Sequence, residues 1–166
     1  MEYTLDEGSN TIELHSAGQN REVALALAQQ ARHEILIASY DLDTLLYSNS
    51  EFVDALSAFV RSHRNAQVQI LTWQAKQVAR HGHRLIDLAQ RLSSSIRIHE
   101  PDKVHAEFIE SFMVVDGTGY FRRPFADRFE GSASLHAPLI ARDLKERFIS
   151  MWERSTPSSE FRRLRI

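Results

Sequence analysis

Apolar and polar positions divide this chain into segments of helix length and strand length. EILIASY (34–40) is an unbroken apolar run, the pattern of a strand buried on both faces. VQILTW (68–73) repeats that pattern, IRIHE (96–100) gives a shorter strand, and TIELH (11–15) a short extended piece. Between them the period changes to that of a helix. REVALALAQQARH (21–33) is rich in helix-favouring alanine and places Val23, Leu27 and Ala31 on one face. Phe52, Val53, Leu56, Phe59 and Val60 trace a continuous stripe, with Asn49 or Ser50 as the cap and Glu51 suited to the helix N-terminus. HRLIDLAQRL (83–92) predicts a third helix, with Leu85, Ile86, Ala89 and Leu92 on one face.

The second half begins with a hairpin. FMVVDGTGYFRRP (112–124) has two β-favouring segments flanking the turn Asp116-Gly117-Thr118-Gly119. Residues 124–136 read as irregular. Pro138 suits the first turn of a last helix, in which Ile140, Leu144, Phe148, Met151 and Trp152 form the apolar stripe, and Pro157 lies beyond its end. Strand–helix–strand–helix–strand in the first hundred residues predicts parallel pairing through crossovers, with the hairpin adding antiparallel strands. The expected fold is α/β: a mixed, mostly parallel sheet with helices on both faces.

With 166 residues, 43% of them hydrophobic and 25% charged, the expectation is one domain spanning 1–166, with a core at about 19–155 and a polar, basic tail at 156–166. Arg162, Arg163 and Arg165 carry the tail's charge. The chain has no cysteine, which excludes disulfides, thiolate metal sites and a cysteine nucleophile. The start MEYTLDEGSN has no basic region followed by an apolar run, and no stretch is long enough to span a bilayer, so a cytoplasmic protein without membrane contact is expected. The net charge of -2 gives no whole-molecule attraction to nucleic acid, which is therefore not expected as a partner.

The order of these elements resembles a domain of the phospholipase D superfamily. The resemblance rests on a helix leading into ILIASYDLD, EFVDALSAFVRS before VQILTW, the strand FMVVDG ending in aspartate, and a closing helix with Phe-x-x-x-Trp in ARDLKERFISMWERS. It covers about residues 19–155 and implies a layered α/β sandwich. The superfamily's signature is His-x-Lys, four residues, then Asp, with Gly-Ser-x-Asn further on. The resemblance implies a nucleophilic histidine, a second histidine from a partner half as general acid, and lysine and asparagine holding the phosphoryl oxygens. Single-motif members resemble half-molecules that pair, which implies a homodimer.

Asp116 matches the signature's aspartate. The histidine position is then Ile109 and the lysine position Ser111, so both chemical residues are lost. A shifted reading uses His105-Ala106-Glu107, but it puts an acid where the lysine belongs and lies eleven residues from Asp116. Gly131-Ser132-Ala133-Ser134 is similar to the Gly-Ser-x-Asn element, with Ser134 in place of asparagine. No catalytic residue is expected; His105, Glu107, Asp116, Ser132 and Ser134 are the relic candidates.

Other residues suggest binding. Arg80, His81, His83 and Arg84 are a dense cationic cluster at a helix start, fit for an anion; the plainer reading is a solvated helix start. Tyr40, Asp41 and Trp73 follow strands at the end where open α/β sheets bind ligands; the plainer reading is loop caps and core aromatics. No phosphate-loop or dinucleotide fingerprint occurs, and neither cofactor nor metal is expected. The sequence thus predicts a non-catalytic module that binds an anionic small molecule or a protein. The alternatives are a residual phosphodiesterase or nuclease using a shifted histidine, and a structural oligomerisation domain.

Overall fold

The computed structural model describes residues 10–161, so Arg162, Arg163 and Arg165 lie outside the described residues. The elements run β1 (Ile12–Leu14), α1 (Ala17–Gln30), β2 (Glu34–Ser39), α2 (Thr44–Tyr47), α3 (Ser50–Ser62), β3 (Gln67–Thr72), α4 (Ala75–His81), α5 (Arg84–Arg91), β4 (Ile96–Glu100), β5 (Ser111–Val115), β6 (Gly119–Arg123), β7 (Gly131–Ser134), α6 (Pro138–Glu153) and β8 (Thr156–Pro157). Short 3-10 turns sit at Lys103–His105 and Ser159–Phe161.

Among the described residues, eight strands form one sheet in the order β1-β7-β6-β5-β2-β3-β4-β8. Only β2–β3 and β3–β4 are parallel, and the other five pairings are antiparallel. This corrects the expectation of a mostly parallel sheet. The crossovers through α3 and α5 build the parallel trio, but β5 returns beside β2 and the chain then continues through hairpin-like connections. Two strands escape the apolar pattern: β7 is GSAS, within the stretch read as irregular, and β8 is two residues long.

Neighbouring side chains on a strand point to opposite faces, and the sheet has two cores. Ile35, Ile37, Val68, Ile70, Met113, Val115 and Phe121 pack with α1, α3 and α5 residues such as Leu27, Phe52, Leu56 and Leu85. Leu36, Ala38, Leu71, Phe112, Val114 and Tyr120 pack under α6 against Ala141, Leu144, Phe148 and Met151. In α6 the buried stripe starts at Ala141, whereas Ile140 is exposed, because 141, 144, 148 and 151 keep the 3–4 spacing of one face. Trp152 is half-buried, stacked on His99 with ring centroids 3.8 Å apart. The segment expected to open a polar tail is partly docked, since Thr156 and Pro157 pair with β4 and Phe161 is buried.

The caps follow the sequence. Ser16 and Gln19 form a capping box on α1, and Asn49 caps α3 through the Phe52 N–H. No helix among the described residues is long and apolar enough to cross a membrane.

Candidate functional site

The beginning of β5 is where the resemblance puts the catalytic histidine and lysine. Ile109 precedes the strand and is half exposed, its carbonyl accepting the Ala126 N–H at 2.7 Å. Ser111 is the first residue of β5 and is fully buried. Its parity with Met113 and Val115 turns it to the α1–α3–α5 face. Register extends this into a polar row across four adjacent strands: Thr72 on β3 opposes Ser39 on β2, Ser39 opposes Ser111, and Ser111 opposes Arg123 on β6. All four are fully buried.

Arg123 occupies the space beside the lysine position. Its terminal nitrogens donate to Asp43 Oδ2 at 3.3 Å, and one also donates to the Ala126 carbonyl at 3.0 Å. Asp43 has a second role: Oδ1 accepts the Leu45 N–H at 2.9 Å and so caps α2. That helix lays Leu46 and Tyr47 into the core. Burial pushes the Tyr47 phenol well above its usual range, against the opposing effects of Arg123 and Ser111 beside it. Asp41 is exposed at the surface, but partial burial of its carboxyl and then Asp43 hold it above the usual carboxylate value. Leu42 between them has φ 48, a left-handed conformation that costs a non-glycine residue about 1–2 kcal/mol. On this face the end of β5 is thus a closed polar core. Leu45, Ile109, Phe125 and Phe129 are large apolar side chains exposed beside it. The ring of Phe129 lies 5.8 Å from the Arg123 guanidinium carbon.

The α6 face of the same end is open. Trp73 stacks on Phe108 with centroids 4.1 Å apart, and its indole N–H donates to the His105 carbonyl at 2.9 Å. A groove of about 700 Å³ runs between this segment and α6, lined by His105, Glu107, Phe108, Glu146, Arg147 and Met151 among others. Glu110, half-buried at its edge, accepts both Nε and Nη2 of Arg122 at 3.0 and 2.8 Å, and a further bond from Arg147. Burial works against the Glu110 charge, but the bonds from Arg147 and Arg122 outweigh it and hold the carboxyl below its usual range.

The remaining sequence candidates are scattered. Tyr40 accepts a hydrogen bond from Gln74 at 2.6 Å through its hydroxyl. His83 is turned inward: Nε2 donates to the Leu42 carbonyl at 2.9 Å and Nδ1 accepts the Leu85 N–H at 3.1 Å, capping α5. Burial lowers its pKa, and with both nitrogens engaged it does not face an anion. Arg80, His81 and Arg84 stay at the surface. Asp116 lies at the far end of β5 from Ser111, where it accepts the backbone N–H groups of Arg32, His33 and Glu34. Ser132 receives the Tyr120 hydroxyl at 3.1 Å, and Ser134 bonds Asn10 and the His136 N–H. Register places both serines with Tyr120 and Arg122, on the face opposite Ser111. His105 also lines the α6-side groove, so the relic candidates do not converge on one position. Among the described residues no group of three or more His, Asp or Glu is set to hold a metal.

Sequence reasoning missed Arg123, Tyr47 and the Arg122–Glu110–Arg147 clamp. A signal for Arg123 existed: in GYFRR the period of two puts it on the same inward face as Phe121, which demands a buried counter-charge.

Comparison with known proteins agrees with this architecture. Among solved structures, the chain is similar to TrmBL2, an archaeal chromatin protein whose structure shows a novel mode of DNA binding, with TM-score 0.65 and 16% identity over 89% of this chain and 54% of TrmBL2. It is also similar to Nuc from Salmonella typhimurium, a phospholipase D family member, with TM-score 0.61 and 14% identity over 89% of this chain and 98% of Nuc. NucT from Helicobacter pylori gives TM-score 0.60 and 14% identity over 89% and 97%. These likenesses show a phospholipase D-like fold. The chain spans about half the length of TrmBL2. The expectation against nucleic acid loses its footing here: one fold neighbour binds DNA, and a net charge averaged over the molecule does not describe a local face. No curated protein matches the sequence. Residues 16–164 match the family described as a domain of unknown function, DUF7931, and the chain belongs to that family.

Proposed function

We propose that this chain is a non-catalytic phospholipase D-like domain that acts by binding, with a second copy of itself as its first partner. The observation that carries the reading is the fate of the two chemical positions. An exposed aliphatic side chain, Ile109, stands in place of the histidine, and a buried serine, Ser111, in place of the lysine, with Arg123 and Tyr47 packed around it. Phosphoryl transfer by this route needs a nucleophile and a cation open to the substrate. The cation packed beside these two positions, Arg123, is fully buried and faces Asp43.

Residues Phe112–Val115 of β5 are buried on both faces, so the strand itself cannot meet a partner. Its open end can: Leu45, Ile109, Phe125 and Phe129 supply an apolar surface, the kind of feature that marks interaction sites. An anionic small molecule at Arg80, His81 and Arg84, with Tyr40, Asp41 and Trp73 lining a separate site, is the second reading. It is favoured by the surface exposure of those three cationic or titratable side chains.

Two measurements test the proposal. Incubation with bis-p-nitrophenyl phosphate and with DNA, without metal, is expected to give no cleavage; robust cleavage abolished by His105→Ala overturns the non-catalytic assignment. Light scattering is expected to give the mass of two chains for the wild type and of one for Ile109→Lys with Phe125→Glu. A single-chain mass for the wild type, unchanged on concentration, removes the self-association.

A further inference from the structure

We infer that the core beneath α2 is an internal hydration site, in which ordered water bridges Ser39, Ser111, Tyr47 and Arg123. Each of these residues is fully buried. Ser39 Oγ and Arg123 Nε lack a hydrogen-bond partner among the described residues, and Ser111 Oγ and Tyr47 Oη have at best each other, without good hydrogen-bond geometry. They are not scattered. Ser39, Ser111 and Arg123 oppose one another on three adjacent strands, where directly paired Cβ atoms lie about 4.5–5.5 Å apart. The Tyr47 hydroxyl lies beside Ser111 and Arg123.

Buried polar groups left dry carry a desolvation cost, and native proteins meet it with a partner or a water. A buried water makes about 2–4 hydrogen bonds, the number this group can offer. The mixture of groups fits water better than any ion. Arg123 Nε only donates, whereas the three hydroxyls both donate and accept. A water can accept from the guanidinium and donate to a hydroxyl oxygen. An anion would add a third negative charge to Asp41 and Asp43 against a single arginine. A cation would face the arginine itself.

The α2 segment seals the site. Asp43 is tied to Arg123, Leu46 and Tyr47 are fully buried, and Leu42 is held in its left-handed conformation with its carbonyl bonded to His83. The inference does not depend on the domain being inactive: the cleavage assay reads product, and the tests below read water and stability.

A crystal structure of the full chain is expected to show solvent density within hydrogen-bond distance of at least three of the four atoms. Soaking with bromide or phosphate is expected to leave it unchanged. Tyr47→Phe and Ser111→Ala should each lower Tm by about 2–4 °C, as expected for losing one hydrogen bond in a domain of this size. The double variant should lose less than the sum, because the two hydroxyls meet each other and share a water. A dry core, bromide taking the position, or single variants with raised Tm would each overturn the inference; raised Tm is what deleting an orphaned polar group produces.

Discussion

Asp116 Oδ1 lies 2.8 Å from the backbone nitrogen of His33. The same carboxylate also accepts the N–H groups of Arg32 and Glu34, and so pins the α1–β2 connection to the β5–β6 turn. Asp116 itself has φ 55, which aspartate, asparagine and glycine tolerate best. Asp116 therefore serves the fold. Gly131 is also a structural requirement: a Cβ there would collide with the Arg122 carbonyl on the neighbouring strand.

Asp116→Ala should therefore destabilise the domain by about 2–3 kcal/mol, through loss of hydrogen bonds to a charged acceptor and strain at a left-handed position. Asp116→Asn keeps an acceptor oxygen and the backbone preference, and should lose less. Denaturant unfolding of both variants checks the order. Equal losses would mean that the charge, not the conformation, carries the effect.

Arg123→Met should cost about 2–3 kcal/mol, somewhat less than the ~3–5 kcal/mol of breaking a fully buried ion pair, because Asp43 keeps some access to water. The Asp43→Asn variant retains the α2 cap but not the charge. If Arg123 and Asp43 act as a pair, the double variant should cost clearly less than the two single losses summed. Additive losses in a double-mutant cycle would show that they do not.

Phe148 is fully buried between α6 and the sheet, whereas Trp152 is half-buried against His99. Phe148→Ala should cost about 3–5 kcal/mol by leaving a cavity in the α6-side core, with a smaller loss for Trp152→Ala. Unfolding midpoints for the two variants in the reverse order would contradict this packing.

Much of the fold was legible because burial imposes a period. The runs at 34–40, 68–73 and 96–100 became β2, β3 and β4, and the Phe52–Phe59 stripe became the core face of α3. The balance of the sheet was not legible. Parallel pairing follows from crossovers, which sequence order reveals, but the partner of β5 is a matter of tertiary placement. GSAS carries no apolar alternation and forms a strand because β6 and β1 flank it. The site divides the same way. Positions 109 and 111 could be counted back from Asp116, whereas Asp43 and Arg123 meet across 80 residues and Glu110 and Arg147 across 37. His83 misled because its composition suited an anion, while its position at a helix start let the backbone claim both nitrogens.

His83 gives a pH prediction. Burial lowers its pKa in the folded chain below the ordinary value of 6.5. Below about pH 6.5 the unfolded chain takes up a proton that the folded chain resists, so stability should fall as the solution becomes more acidic. His99 is also lowered by burial, and then by Arg97, and contributes in the same direction. His83→Asn keeps a helix-capping side chain without the titration. Its unfolding free energy should decline less steeply below about pH 6.5 than that of the wild type. An unchanged slope would assign the acid sensitivity elsewhere.

Glu110 makes the opposite kind of titration visible. Its carboxyl is held below the ordinary value of 4.5 by Arg147 and Arg122, which outweigh the effect of burial. A depressed folded pKa contributes stability that is present above the unfolded value and is lost as pH falls through the folded one. At neutral pH, Glu110→Gln should be less stable than the wild type, since two guanidiniums lose the charge they share. In acid the wild-type carboxyl is protonated as well, and the difference should close below about pH 4.5. Paired denaturant titrations at neutral and acidic pH, with the His83 effect common to both proteins, isolate this contribution. A gap that stays constant across the whole range would mean that the amide loses packing or geometry rather than charge, and that the two arginines do not depend on Glu110 for their position.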